Sequence, residues 1–479
     1  MDFVSFWFYV FLLVALIVYY LLPLRMRWYA LLAGSLSYFW LATESPIALA
    51  LFIGIIGISY TLGIMLEKRQ KSRFMLALAV TAVLIPLAIA KYSPALEAVE
   101  NLLEESHGLI VPLGLSFFTM QIIAYLADIY KGKISAQHNF LKYALFISFF
   151  PQILQGPIPR YEQLEHQLVE GHRFDETEFT KGFMLIIWGF FLKLMIADKA
   201  KVVVDTIFGN PDAYRGCFVL VGGVLYSIQL YTDFLACVTL AQGVSRLFGI
   251  HLAENFNHPY FARSIKEFWG KWHMSLSFWL RDYIYIPLGG SRKGKLRKYI
   301  NIIITFLVSG LWHGNGPQFI VWGMMHAFYQ VAGGLTEGMR NFVFAKLGIL
   351  KQSDARYWID RIWTFLLAMA AWIMFRAASL SDGLFMLQSV YSTYNPWIFF
   401  DDSLLSMGLG WKEWVVLIFS IMTHIQVSLW QERFEVCDKV LEQPFCIRLL
   451  FYVVAIIAIM AFGTYGYGFN AADFIYRGF

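Results

Sequence analysis

Residues 299–326 read Tyr299-Ile-Asn-Ile-Ile-Ile-Thr-Phe-Leu-Val-Ser-Gly-Leu-Trp-His313-Gly-Asn-Gly-Pro-Gln-Phe-Ile-Val-Trp-Gly-Met-Met-His326. An apolar run ends in a cluster of Gly310, Gly314, Gly316 and Pro317 around one histidine, then resumes. These residues read as a helix break. Backbone groups freed at membrane depth are tolerated only beside a cavity or buried in protein. The rest of the 479-residue chain fits such a setting, being 58% hydrophobic, 18% aromatic and only 15% charged. Soluble domains average roughly 45–50% apolar and about 25% charged. With a mean hydropathy of +0.57, a disordered, fibrous or ordinary cytosolic chain is excluded. The sequence predicts an all-α polytopic membrane protein.

Apolar runs of spanning length recur near 3–22, 28–43, 46–65, 74–90, 109–130, 140–158, 180–197, 217–235, 299–312, 317–333, 359–375, 412–430 and 447–464. Pro and Gly interrupt 140–158 and 299–333. The runs imply about eleven to thirteen crossings. No soluble domain fits between them, so 1–479 reads as one integral membrane domain. The first run lacks a basic leader region and is long enough to span, so it reads as retained. No internal repeat is visible, which weighs against a transporter built from repeated halves. Arg25, Arg27, Lys68, Arg69, Lys71, Arg73, Lys131 and Lys133 mark alternate loops, whereas Glu97, Glu100, Glu104 and Glu105 fill an intervening one. By the positive-inside rule the N-terminus lies outside and the basic loops are cytoplasmic. A net charge of +5, scattered along the chain, does not suggest nucleic acid.

Polar groups at membrane depth are costly and point to a job. They are densest in 264–330. Ser264 to Gly290 is too charged to cross lipid as a plain helix and too aromatic for a solvated loop, which predicts an interfacial or re-entrant helix. Arg281 and Asp282, adjacent in sequence, should face different ways and pair with other segments. His313 sits in the break, and His326 follows 13 residues later. Neutral imidazole suits proton abstraction from a hydroxyl, as acyl transfer from a thioester requires beside an oxyanion stabiliser. The alternative is a histidine packed under tryptophan and satisfied by a carbonyl. Arg292, Lys293, Lys295, Arg297 and Lys298 are either a topology signal or a site for an anionic donor. His251 and His258 read as loop residues. The four cysteines form no C-x-x-C pair, and H-E-x-x-H, G-x-S-x-G and Walker A motifs are lacking, so no metal is expected. Cys237 is either a packed small hydrophobe or a thioester relay, and apolar burial counts against the relay.

At these residues the sequence resembles the membrane-bound O-acyltransferase superfamily, in its branch of bacterial alginate and polysaccharide O-acetylation. The resemblance rests on Glu267-Phe-Trp, Trp272-His273-Met-Ser-Leu-Ser, Trp279 to Gly290, Leu311-Trp-His-Gly314 and Trp322-Gly-Met-Met-His326. Upstream and downstream, Pro112 to Thr119, Tyr125 to Asp128, Phe150-Pro-Gln152, Gly156 to Tyr161, Ile196-Ala-Asp198 and Phe375-Arg-Ala377 also fit. After Tyr231-Thr-Asp-Phe234 the family's second acidic residue is absent, Cys237 falling in that stretch. The resemblance implies a ring of about 11–13 transmembrane and re-entrant helices around a central tunnel, with 264–330 as catalytic core. It makes His313 and His273 the catalytic residues, with Trp312, Trp272, Arg281, Asp282 and His326 in support. It implies an acetyl donor on the cytoplasmic side, acetyl-CoA as substrate rather than a bound cofactor. It further implies a multi-pass protein of the inner or plasma membrane, a polysaccharide acceptor, and a separate extracytoplasmic esterase-fold (SGNH-like) partner. D-alanyl transfer to teichoic acid and a polysaccharide or lipid transporter are the alternative readings.

Overall fold

The computed structural model describes residues 3–69, 71–93, 112–153, 155–465 and 474, and every regular element among them is helical. The acidic segment around Glu97 to Glu105 falls within 94–111, outside the described residues. The chain forms two compact units, one from Met1–Gly189, Cys237–Ala253 and Asn470–Phe479, the other from Phe190–Ala236 and Glu254–Phe469.

The first unit holds α1 (Phe6–Leu21), α2 (Arg27–Thr43), α3 (Pro46–Lys68), α4 (Arg73–Tyr92), α5 (Leu115–Tyr130), α6 (Phe140–Ser148), α7 (Tyr161–Glu170) and nearly all of α8 (Glu176–Phe190). Ser5, Ser45, Ser72 and Asn139 start α1, α3, α4 and α6, each side chain accepting from the amide three residues on. Such caps satisfy one of the orphan donors at a helix start. Every residue of α5 from Leu115 to Ile129 is buried, as an all-round apolar helix requires. The run at 140–158 is not one helix: α6 stops after nine residues. Pro151, Gly156, Pro157 and Pro159 cannot continue it, and the side-chain amides of Gln121 and Gln152 donate to the freed Phe146 carbonyl at 2.7 and 3.3 Å.

In the second unit a π-helical segment, Phe191–Ala197, leads into α9 (Asp198–Gly209) and α10 (Cys217–Leu247), the last 11 residues of which belong to the first unit. Then come α11 (Ile265–Lys271), α12 (Met274–Leu280), α13 (Lys295–His313), α14 (Pro317–Leu335), α15 (Glu337–Lys346), α16 (Asp354–Arg376), α17 (Leu380–Ser392), α18 (Trp411–Gln431), α19 (Val436–Leu441) and α20 (Phe445–Phe462). Among the described residues seven helical stretches are long and apolar enough to cross a membrane: α3, α4, Glu176–Gly209, α10, α16, α18 and α20; α1 and α5 are apolar but shorter. The protein is a multi-pass membrane protein.

Two expectations change in detail. Gly310 does not break α13, which runs unbroken to His313. A Cβ there would stand 2.5 Å from the Phe319 carbonyl oxygen, and one at Gly323 2.4 Å from that of Phe306. These glycines let α13 and α14 approach backbone to backbone, and the break begins at Gly314. Likewise 264–290 is no single helix but two seven-residue helices and a π-helical turn at Arg281–Tyr285.

Candidate active site

Ser264 caps α11 by accepting from the Glu267 amide at 3.1 Å, and Glu267 pairs with Lys271 one turn on. The helix then stops at Trp272. His273 takes a left-handed conformation, φ 41°, uncommon for a residue with a side chain, though histidine is among the types that adopt it. Asn255 holds this corner from outside: its carbonyl accepts from Met274 N at 2.8 Å and its Oδ1 from Ser275 N at 3.1 Å. The strained turn directs the His273 ring into the unit's interior, where it is 1% exposed and meets the edge of Phe234 at 4.7 Å between ring centroids.

His313 enters the same interior from the last turn of α13 and is 2% exposed. Its ring packs on Trp312 and Trp322, both at 4.9 Å, and on Phe375 from the end of α16 at 5.2 Å. Trp312 also reaches His273, at 6.4 Å, so one indole lies against both histidines. Trp322 in turn touches His326 at 5.2 Å. His326 is fixed differently, because Trp269 Nε1 donates to its Nδ1 at 3.2 Å. That bond assigns the neutral tautomer protonated on Nε2. The Trp322 Nε1–H is buried with no hydrogen-bond partner among the described residues, which is unusual for an indole. No ring contact between Trp272 and the histidines is seen among the described residues; Trp272 stacks on Phe268 at 5.5 Å and meets Trp372 at a tilt at 5.0 Å, backing the wall.

The other expected residues fall elsewhere. Arg281 is exposed, and its Nε donates to Asp282 Oδ1 at 2.8 Å, so these neighbours pair with each other. The Arg281 guanidinium folds over Phe278, 4.8 Å from its ring centre, which keeps that pairing local. Neither belongs to the buried cluster. Arg292, Lys293, Lys295 and Arg297 are exposed, with Lys298 half-buried over Tyr299. They sit at the start of α13, roughly 27 Å from His313 at 1.5 Å per residue. Arg297 Nε donates to the Leu288 carbonyl at 3.1 Å and Asn301 Nδ2 to that of Gly290 at 2.9 Å, fastening the Pro287–Gly290 turn to α13. His251 and His258 are loop residues as expected; the pKa of His258 is lowered by burial, then by Lys271, against the opposing pull of Glu432.

Sequence reading missed the roles of Trp322, Trp372, Phe375 and Asn255. The first three carried a usable signal, since Trp372 and Phe375 are i,i+3 on one helix face and Trp322 is four residues before His326. Nothing local marks Asn255.

Chemically, the cluster is a buried group of aromatic rings with imidazole as its proton-accepting group and indole N–H as its donor. Residues 131–375, which include both histidines, Trp322 and Phe375, match MBOAT, the membrane-bound O-acyltransferase family. The chain belongs to that family and is an O-acyltransferase. It is similar to a probable alginate O-acetylase of Pseudomonas putida, 33% identical over 403 residues and covering 81% of this chain and 79% of the other. A peptidoglycan O-acetyltransferase of Helicobacter pylori is 33% identical over 77% of this chain and 74% of its own. A teichoic acid D-alanyltransferase of Bacillus subtilis is 33% identical over 55% of this chain and 69% of its own.

Proposed function

We propose that this enzyme moves an acetyl group from a cytoplasmic thioester donor, acetyl-CoA, to the outer face of the inner or plasma membrane for O-acetylation of a polysaccharide. The observation that carries this reading is the pairing of His313 and His273 across Trp312 at the end of α13 remote from the basic cluster. Transfer proceeds as the acceptor hydroxyl oxygen attacks the thioester carbonyl while an imidazole takes its proton. The carbon–sulfur bond breaks, and the coenzyme A thiolate leaves and is protonated. His313 is the base, and His273 sits across Trp312 in support. Trp322 Nε1–H is the donor placed for the oxyanion. The basic residues from Arg292 to Lys298 hold the donor's phosphates at the cytoplasmic face, and the basic loops at 25–27 and 68–73 support an N-terminus outside. The acetyl group passes along a tunnel at His313 to a separate esterase-fold (SGNH-like) partner that acetylates the polymer.

The relatives that acetylate alginate or peptidoglycan cover more of this chain than the D-alanyltransferase does, which favours acetyl over D-alanyl. The test offers the purified protein acetyl-CoA and, separately, a D-alanyl thioester on a carrier protein. Loss of acetyl from acetyl-CoA, absent in His313→Ala, is the expected result. Turnover of the D-alanyl thioester alone would replace this reading with the teichoic acid one.

A further inference from the structure

Lys193, Asp198 and Asp233 form an ion-paired group that the chemistry above does not use. Lys193 Nζ lies 2.8 Å from Asp233 Oδ1 and 2.9 Å from Asp198 Oδ1, and all three side chains are at most 3% exposed. Lys193 is at the middle of the 34-residue Glu176–Gly209 helix and Asp233 at the middle of the 31-residue α10. The charges therefore sit near mid-depth of two spanning segments, where ionised groups are most costly and mark function. Lys193 also projects from the π-helical segment Phe191–Ala197, a local irregularity that recurs at functional sites.

What the group touches suggests its task. Asp233 belongs to the same turn of α10 as Tyr231 and Phe234. Phe234 supplies the ring against His273. Tyr231 packs on Trp272 at 6.0 Å, and both it and Phe234 pack on Phe256, at 5.4 and 5.1 Å. At about 100° per residue, Tyr231 and Phe234 share one side of the helix and Asp233 projects from another. One turn thus carries the histidine wall on one side and the ion pair on the other.

We propose that Lys193, Asp198 and Asp233 are positioning residues, a charge clamp that sets the height and rotation of the Tyr231–Phe234 turn against His273. The clamp rests on the acyl-transfer reading and acts through Phe234. Lys193 Nζ donates to Asp233 Oδ1 at 2.8 Å, and a charge-assisted hydrogen bond of this kind is directional as well as strong.

The test uses full-length protein in membranes with acetyl-CoA as the donor. The variant Lys193→Met/Asp198→Asn/Asp233→Asn removes all three charges together, so none is stranded in the interior. Per folded molecule its turnover should fall about 10²-fold, the cost of misplacing a reacting group by roughly 1 Å, with KM for acetyl-CoA unchanged. Phe234→Leu, which leaves the clamp intact, should lose turnover in the same way, and the two changes combined should be markedly non-additive. A charge-free variant with wild-type turnover overturns the clamp; should that variant not accumulate, wild-type turnover in Phe234→Leu does so. Wild type and His313→Ala run alongside. A wild type inert toward acetyl-CoA sinks the acyl-transfer reading and the clamp with it, while an active wild type beside an active charge-free variant sinks the clamp alone.

Discussion

At its first turn α13 presents Lys295 and Arg297 to solvent, with Arg297 donating to the Leu288 carbonyl and Lys298 lying over the ring of Tyr299. At its last turn Trp312 and His313 are enclosed by rings from α14 and α16. Cations at a helix N-terminus oppose its dipole, so the basic end is not there for the helix's own stability. The histidine end is the reverse: Trp312 and His313 are buried and packed against aromatic rings. One helix thus separates a loosely held, charge-bearing end suited to recognition from a rigid end suited to chemistry.

That separation predicts different kinetic signatures at the two ends. His313→Ala should cut acetyl transfer by at least about 10²-fold, the lower bound for loss of a general base. Its abundance should stay near wild type, because Gly314, Gly316 and Pro317 shape the break. Polymer acetyl content normalised to folded protein reads both. Trp322→Phe keeps an aromatic ring near His313 but removes the N–H together with part of the indole; a loss of about 10²-fold in turnover is expected if the N–H stabilises the oxyanion, and an unchanged rate would overturn that role. His273→Ala should act partly through folding, with about 1–3 kcal/mol lost as its buried contacts go, and with less effect per folded molecule than His313→Ala; thermal unfolding in detergent beside the transfer assay separates the two. Neutralising Arg292, Lys293, Lys295, Arg297 and Lys298 to Gln should raise KM for acetyl-CoA with kcat nearly constant. A change confined to membrane orientation would assign the cluster to topology instead. Arg281→Ala, at an exposed pair, should cost within about 0.5 kcal/mol and leave turnover alone.

The contrast between the ends also explains what could be read in the sequence. His313 was legible because a histidine among glycines and a proline, inside an apolar run, conflicts with its surroundings, and such conflicts gather at functional sites. The basic end was legible because charge is a compositional signal. The roles of Gly310 and Gly323 were not. Gly310 read as part of the break and Gly323 only as part of the Trp322–His326 motif, whereas their missing side chains admit the Phe319 and Phe306 carbonyls from the facing helix. The hydrogen bond from Trp269 to His326 spans 57 residues, and the Lys193–Asp233 pair spans 40. Neither separation leaves a local trace. Arg281 and Asp282 misled in the opposite direction, because the Arg281 side chain folds back over Phe278 and reaches its own neighbour.

The division of labour along α13 is tested most directly by measuring kcat and KM for acetyl-CoA in one set of membranes for three proteins: wild type, His313→Gln and the variant with its basic cluster neutralised. Turnover should collapse in His313→Gln, while only KM should rise when the cluster is neutralised. His313→Gln retaining more than about a tenth of wild-type kcat, outside the range for losing a general base, would contradict the assignment of chemistry to the histidine end.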